Sequence, residues 1–130
     1  MNLHHFAVVC SSIENADKFY ENILELEKIK NFIIDKDLTE KIFNIPCECR
    51  LLLYSNKNFA VEVFIMPDFN EKKPSFEHFC LEVEDKKKFV QKCKSAECDV
   101  NIIPKGDFSL TFIKDFDGNM FEIKEIETLS

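Results

Sequence analysis

Residues 3–10, LHHFAVVC, and residues 76–83, FEHFCLEV, are two short apolar runs that each carry a histidine. Their length and their β-branched and aromatic content are typical of strands. The chain has only three histidines, and His5 and His78 occupy comparable places in the two runs. The two runs therefore predict an internal repeat in which each half opens on a strand that carries a histidine.

A helix and three further strands are predicted after each of these runs. In the first half, Ser11 and Glu14 form a Ser-x-x-Glu pattern, which predicts a capping box with Ser11 as the N-cap. Strands are predicted there at 28–35, 49–54 and 59–66, while residues 36–44 fit either a loop or a helical turn. In the second half, a helix is predicted over 84–96, with strands at 100–104, 108–114 and 120–126. Both halves thus have the order βαβββ.

The predicted fold class is α+β, with two repeated βαβββ modules that form a cleft. Each module is expected to be a curved, mostly antiparallel sheet with an outer helix. We expect one domain over residues 1–130, with module 1 at 1–67, a linker at 68–75 and module 2 at 76–127. The linker prediction rests on a polar stretch from Pro67 to Pro74 that shows no hydrophobic periodicity.

The charge of the chain excludes some classes of partner. The formal net charge is −7 and Arg50 is the only arginine, so we expect no nucleic acid partner, for which a basic face is needed. The same charge argues against an anionic membrane surface. No apolar run approaches the roughly 20 residues of a membrane span. The N-terminus lacks the basic and then apolar pattern of a signal peptide, which favours a cytoplasmic protein.

The cysteine pattern favours free thiols. The even number invites a disulfide interpretation, but the predicted compartment is reducing and the core is apolar enough to need no covalent support. The chain contains no Cys-x-x-Cys motif, so a zinc knuckle is not expected. We expect reduced packing or surface residues at all six positions, which are Cys10, Cys47, Cys49, Cys80, Cys93 and Cys98.

Two glutamates complete the repeat. Glu62 lies in the apolar run AVEVFI, and Glu122 lies in MFEIKEI, in the last predicted strand of each half. A carboxylate on an inward face there is costly unless it is paired or bound to a metal. Taken singly, a strand histidine is more often packed in the core and a strand glutamate more often solvated. Two imidazoles and two carboxylates in a duplicated frame favour a divalent metal site with open positions, provided that they converge.

Several motifs resemble the vicinal oxygen chelate superfamily, the group of glyoxalases, bleomycin-resistance proteins and extradiol dioxygenases. The first is HFAVVCSSIENADKFYENILELE at 5–27, which is similar to the opening of the family's first module. VEVF at 61–64 resembles its fourth strand, and HFCLEVED at 78–85 resembles the start of its second module. KDFDGNMFEI at 114–123 resembles the family's Asp-Pro-Asp-Gly-Asn-x-x-Glu signature, with Phe116 in place of proline. The resemblance covers nearly the whole chain.

The resemblance implies a metal site and a type of chemistry. The family's metal positions fall on His5, Glu62, His78 and Glu122, and the implied cofactor is a divalent metal ion (Ni, Co, Mn, Fe or Zn). His4 is adjacent, but strand alternation would turn it to the other face. In this family the metal chelates neighbouring oxygens of a small-molecule substrate, as in lyases and isomerases. The same resemblance makes Glu122 the first candidate for a catalytic base and Glu62 the second.

The resemblance leaves more than one function open. A glyoxalase-like, metal-dependent lyase or isomerase is the first hypothesis. The alternative is a bleomycin-resistance-type small-molecule binding protein without catalysis, and a third is an inert domain. With Arg50 as the only arginine and Val9 where a cationic clamp would be useful, turnover of a glutathione hemithioacetal is expected to be weak or absent. A homodimer is expected because small members of the family pair modules across subunits.

Overall fold

The structure is a computed structural model and describes residues 1–68 and 73–127. The chain divides into two compact units, Met1–Asn70 (unit 1) and Glu71–Ser130 (unit 2). Part of the predicted linker, residues 69–72, lies outside the described residues. Both units combine a four-stranded sheet with helix, so the predicted α+β class is confirmed.

Unit 1 consists of four strands and three helical segments. In chain order these are β1 (His5–Cys10), α1 (Ile13–Ala16), a π-helical segment (Asp17–Ile23), β2 (Glu27–Ile34), α2 (Lys36–Phe43), β3 (Cys49–Ser55) and β4 (Ala60–Ile65). The sheet has the strand order β1-β4-β3-β2. β1 and β4 are parallel, and the other pairs are antiparallel. The first and last strands of the unit therefore lie side by side.

Unit 2 repeats this arrangement with one helix. Its elements are β5 (Phe79–Val83), α3 (Lys86–Ser95), β6 (Asp99–Lys105), β7 (Phe108–Lys114) and β8 (Met120–Glu125). The strand order is β5-β8-β7-β6, again with the first and last strands parallel. The predicted βαβββ repeat is thus confirmed, and within residues 1–68 and 73–127 the helix α2 of unit 1 has no counterpart in unit 2. It occupies the stretch for which the sequence left a loop or a helical turn open.

The first helix begins one residue later than predicted. Ser12, in extended conformation, is the N-cap, and its hydroxyl accepts a hydrogen bond of 3.1 Å from the backbone N–H of Asn15. Ser11 instead accepts a bond of 3.3 Å from the Asn15 side chain. The predicted capping box of Ser11 and Glu14 is therefore wrong. Two adjacent serines offer the same cap chemistry, and only the backbone conformation decides which of them is used.

Each sheet has one face covered by helix and one face that is more open. In β1, alternate residues Phe6, Val8 and Cys10 are buried, and the aromatic residues of the π-helical segment are buried as well. Tyr54 packs against Tyr20 with ring centroids 5.6 Å apart, which places the β3 face on the same core. Strand alternation turns the other β1 residues, beginning with His5, to the opposite face.

A polar cluster ties the helical segment of unit 1 to its sheet. The Tyr54 hydroxyl donates to Asp17 Oδ1 at 2.7 Å, and Lys28 Nζ lies 2.9 Å from the same oxygen. Burial and the Asp17 carboxylate raise the pKa of Tyr54. The carboxylate thus joins β2, β3 and the helical segment, and its charge is balanced by a lysine inside a mostly apolar region.

Candidate functional site

His5 and Glu62 form a pair on the open face of the unit 1 sheet. Ala7 of β1 is the register partner of Glu62 on β4, so His5 lies two residues before that partner. Its Nε2 is 3.0 Å from Glu62 Oε1, and the side chains are 38% and 27% exposed. Parallel pairing of the first and last strands brings together two side chains that are far apart in sequence.

His78 and Glu122 form the corresponding pair in unit 2. Cys80 of β5 is the register partner of Glu122 on β8, so His78 again lies two residues before the partner of the glutamate. His78 Nε2 is 3.6 Å from Glu122 Oε1, and the side chains are 36% and 16% exposed. His78 was expected inside a strand but immediately precedes β5, because the observed strand begins at Phe79. The structure therefore brings each predicted histidine to the glutamate of its own unit.

The second ring nitrogen of His78 is fixed by the backbone. Its Nδ1 lies 2.9 Å from the carbonyl oxygen of Phe76, which can only accept, so Nδ1 carries the proton. A neutral His78 then turns the lone pair of Nε2 toward the Glu122 carboxylate, and two acceptors face each other. Such an arrangement fits a cation between them, and a second nitrogen held by a carbonyl is common among metal-binding histidines. Unit 2 thus turns one imidazole nitrogen and one carboxylate oxygen toward each other, and both are donor types that bind divalent metals.

His5 has a different neighbour at its second nitrogen. His5 Nδ1 lies 2.8 Å from His4 Nδ1, and the two rings are edge to face. The expectation that His4 faces away from the site rested on strand alternation, but β1 begins only at His5, so alternation does not govern His4. When His5 Nδ1 is the donor to His4, the Nε2 of His5 is free to bind a cation beside Glu62.

Among the described residues, neither pair is joined within its unit by a third His, Cys, Asp or Glu to form a group of three. Cys80, which was expected on the face of His78, lies opposite Glu122 in the ladder. Desolvation and the Glu122 charge raise the pKa of its thiol. Each unit thus offers one imidazole and one carboxylate, which is half of the donor set that the sequence predicted.

A turn held by one carboxylate precedes the strand of Glu122. Asp115 is buried, and its Oδ1 accepts the backbone N–H groups of Asp117 and Asn119, both at 2.9 Å. Its Oδ2 accepts the side-chain amide of Asn119 at 2.8 Å. Gly118 supplies a φ of 87°, which suits glycine in this turn. The acidic turn motif is therefore structural, and it fixes where β8 begins and hence where Glu122 lies.

An open pocket lies on the same face of unit 2. Its volume is about 370 Å³, and Phe112, one of its lining residues, is the register partner of Glu122 and contacts His78 edge to face at 5.6 Å. Lys114 Nζ, also at the pocket, lies 3.9 Å from Asp99. The lining residues are Asp99, Val100, Asn101, Ile103, Phe112, Lys114 and Met120. Sequence reasoning missed this pocket, because only the register of β6, β7 and β8 brings these residues together.

The family model described as the glyoxalase, bleomycin resistance protein and dioxygenase superfamily matches residues 4–112. The chain therefore belongs to this superfamily, and the resemblance inferred from the motifs is confirmed. No curated protein gives a significant sequence match. Among the residues that the structure describes, no helix is both long enough and apolar enough to cross a membrane.

Solved structures support the fold. A glyoxalase family protein from Bacillus cereus matches with a TM-score of 0.75 and 13% identity, over 96% of this chain and 93% of that one. A glyoxalase family protein from Enterococcus faecalis gives 0.70 and 18%, over 94% and 95%. The fosfomycin resistance protein FosX from Listeria monocytogenes, in a complex with Mn(II) and sulfate, gives 0.69 and 14%, over 97% and 93%.

Proposed function

We propose that the protein is a glyoxalase-like, metal-dependent lyase or isomerase that acts on a small substrate with neighbouring oxygen atoms. The observation that carries the proposal is the repeated His–Glu pair. Both pairs lie on the open face of their sheet, at the same register offset, with the histidine Nε2 turned to a carboxylate oxygen. We propose His5, Glu62, His78 and Glu122 as the residues that would hold a divalent metal (Ni, Co, Mn, Fe or Zn).

Different residues would have different roles in the proposed reaction. A bound divalent cation would supply Lewis-acid polarisation of two neighbouring substrate oxygens. Glu122 is the proposed base that accepts a proton at a carboxylate oxygen, because it is the less exposed of the two glutamates and lies beside the pocket. Glu62 is the second candidate for this role. His78, held at Nδ1 by a backbone carbonyl, would keep its Nε2 in a fixed position.

The pocket supports a proposal for the class of substrate. Phe112, Ile103 and Met120 offer apolar surface, and Lys114 is its single basic residue. Such a lining suits a small, partly apolar molecule with at most one negative charge. A glutathione conjugate carries two carboxylates, and Arg50 is the only arginine of the chain. We therefore propose that glutathione hemithioacetals are poor substrates, with a small hydroxy-carbonyl compound as the better probe.

The alternative function is that of a bleomycin-resistance-type binding protein that holds a small molecule without chemistry. The observation that favours it is the apolar part of the same pocket, because an aromatic ligand could stack on Phe112. Sequestration of this kind needs no metal. It therefore gives no account of why both units turn a histidine nitrogen toward a glutamate.

A homodimer in the cytoplasm is part of the proposal. Exposed apolar side chains on β2 and α2, including Phe32, Ile42 and Phe43, support association of two copies of the chain. Sedimentation at micromolar concentration tests this directly. A monomer under those conditions would contradict the proposed assembly and would require all four ligands to come from one chain.

The deciding experiment measures metal before activity. The protein is purified without chelator, its metal content is determined by mass spectrometry, and Mn(II), Ni(II), Co(II) and Zn(II) are titrated calorimetrically. We expect one metal per chain in the parent and loss of tight binding in His78→Ala. Glu27→Gln serves as the control, since Glu27 is an exposed glutamate on β2, which β3 separates from the strand of Glu62. Metal-free protein that binds none of these ions, yet binds an aromatic ligand, would support the alternative instead.

A further inference from the structure

The end of α3 brings two cysteines together. Glu97 has a φ of 64°, the left-handed conformation that ends many helices. The backbone N–H of Cys98 donates to the carbonyl of Cys93 at 3.0 Å, and that of Glu97 donates to Lys94 at 3.0 Å. This pair of bonds defines a Schellman motif, in which the two residues joined by the outer bond also tend to contact each other through their side chains. Here both of those residues are cysteines.

The two thiols differ in access and in chemistry. Cys93 is fully buried, whereas Cys98 is partly exposed, and the two side chains are hydrogen-bonded to each other. The bond from the Cys93 thiol lowers the pKa of Cys98, although burial and Asp115 oppose this effect. The same bond, together with burial, raises the pKa of Cys93. A partly exposed outer thiol is thus backed by a buried inner thiol.

We propose that Cys93 and Cys98 form a reversible dithiol–disulfide site. A disulfide needs α-carbons roughly 4.4–6.8 Å apart. The backbone hydrogen bond of 3.0 Å from Cys98 to Cys93 holds these two residues next to each other at the helix end. The corresponding helix end of unit 1 is a comparison without thiols. There the backbone N–H of Leu26 donates to the carbonyl of Tyr20 at 3.0 Å, and the two buried side chains cannot form a disulfide. Cys93 and Cys98 belong to neither His–Glu pair, so this proposal does not depend on the proposed function.

The exchange balances with a low-molecular-weight disulfide such as oxidised glutathione. The Cys98 thiolate attacks one sulfur of that disulfide, and one glutathione thiolate leaves. Cys93 then loses its proton and attacks the Cys98 sulfur, and the second glutathione thiolate leaves. Two protein thiols are oxidised to one disulfide, and one glutathione disulfide is reduced to two thiols, which take up the two protons.

The main test uses the full-length parent protein. It is equilibrated without oxygen in buffers with increasing ratios of oxidised to reduced glutathione, quenched in acid, alkylated and digested with trypsin without reductant. Trypsin cuts after Lys92 and Lys94 and so separates the two cysteines. We expect a disulfide-linked species of peptides 93–94 and 95–105, which dithiothreitol removes, while Cys47 is still alkylated. If Cys93 and Cys98 are both alkylated under conditions that oxidise the other cysteines, the proposal is wrong.

A matched set of variants tests the roles of the two thiols. Cys93→Ser keeps a hydrogen-bond donor, so Cys98 should hold glutathione as a stable mixed disulfide and react with iodoacetamide at the parent rate. Cys93→Ala removes the donor, and we expect the Cys98 rate to fall at least about threefold at neutral pH because less thiolate is present. Cys47→Ser is the control and should change neither readout. Equal Cys98 rates in the serine and alanine variants would show that the contact is only apolar packing.

Discussion

The two units share a fold and a register but differ in how each histidine is held. In unit 1, Nε2 of His5 is within hydrogen-bond distance of Glu62 at 3.0 Å, and its other nitrogen meets a side chain, His4. In unit 2, Nε2 of His78 is 3.6 Å from Glu122, and its other nitrogen meets a backbone carbonyl. In the first pair, a proton on His5 Nε2 can form a hydrogen bond with Glu62. In the second pair, Nε2 of a neutral His78 and the Glu122 carboxylate are both acceptors, and they face each other. Unit 2 is therefore the half that would gain more from the proposed cation.

The largest effect is expected from the turn that positions Glu122. Asp115→Ala should lower the free energy of unfolding by about 4 kcal/mol, because a buried carboxylate that accepts three hydrogen bonds is lost. Asp17→Ala removes the carboxylate of the polar cluster in unit 1. It should lower the free energy of unfolding by less, about 2 kcal/mol, since Asp17 is more exposed than Asp115. Urea unfolding followed by circular dichroism measures both. Equal losses would show that the two units depend equally on their carboxylates.

The next effect concerns the glutamates themselves. Glu122→Gln should weaken metal binding by about 100-fold or more, since even outer-shell partners of a metal site are worth about 10–100-fold. Glu62→Gln should weaken metal binding less, because Glu62 and His5 are already within hydrogen-bond distance, at 3.0 Å, without a metal. Both amides preserve size and leave the fold intact. Calorimetric titration with Mn(II) gives the two affinities, and a larger loss at Glu62 would reverse the ranking of the two units.

A smaller effect is expected from His4. His4→Ala removes the side chain that meets His5 Nδ1 and should weaken metal binding by about 10-fold through loss of orientation. His4→Asn, which keeps a hydrogen-bonding group, should recover part of the affinity. No such variant exists for unit 2, where the partner of His78 is backbone. An unchanged Mn(II) affinity in His4→Ala would show that the contact with His5 has no role in orienting the ring.

The smallest effect is expected from Tyr54→Phe. Loss of the hydroxyl that donates to Asp17 should cost about 1 kcal/mol of unfolding free energy, while Lys28 still pairs with the carboxylate. Because the folded state raises the pKa of Tyr54, the parent should lose stability as the pH rises above the value of about 10 at which the unfolded tyrosine ionises. The variant should lack this part of the decline. Unfolding curves at pH 8 and above pH 10 compare the two.

The sequence predicted the repeat because it depends on order along the chain and on strand periodicity. It also named His5, Glu62, His78 and Glu122 as one set, but it did not predict that each histidine would pair with the glutamate of its own unit. It failed where several backbone conformations suit the same residues. Ser11 and Ser12 are chemically equal caps, and the apolar spacing of the first helix did not distinguish an α-helix from the observed π-helical segment at Asp17–Ile23. The pocket beside Phe112 depends on register between strands, which local sequence does not encode. The sequence-based prediction that the cysteines would be reduced also gave no sign that Cys93 and Cys98 would be neighbours.

The side-by-side arrangement of first and last strands has a consequence for synthesis of the chain. β1 leaves the ribosome before β2, β3 and β4, and its neighbour in the sheet is β4, so the edge of β1 that pairs with β4 stays open until the last strand of the unit has been made. Pairing of the first and last strands closes a long loop. The entropy cost of closing this loop must be met before the contacts between the two strands are gained. A His–Glu pair therefore exists only once its unit is complete. The proposed metal would then bind only after a unit has folded and would not help to start its folding.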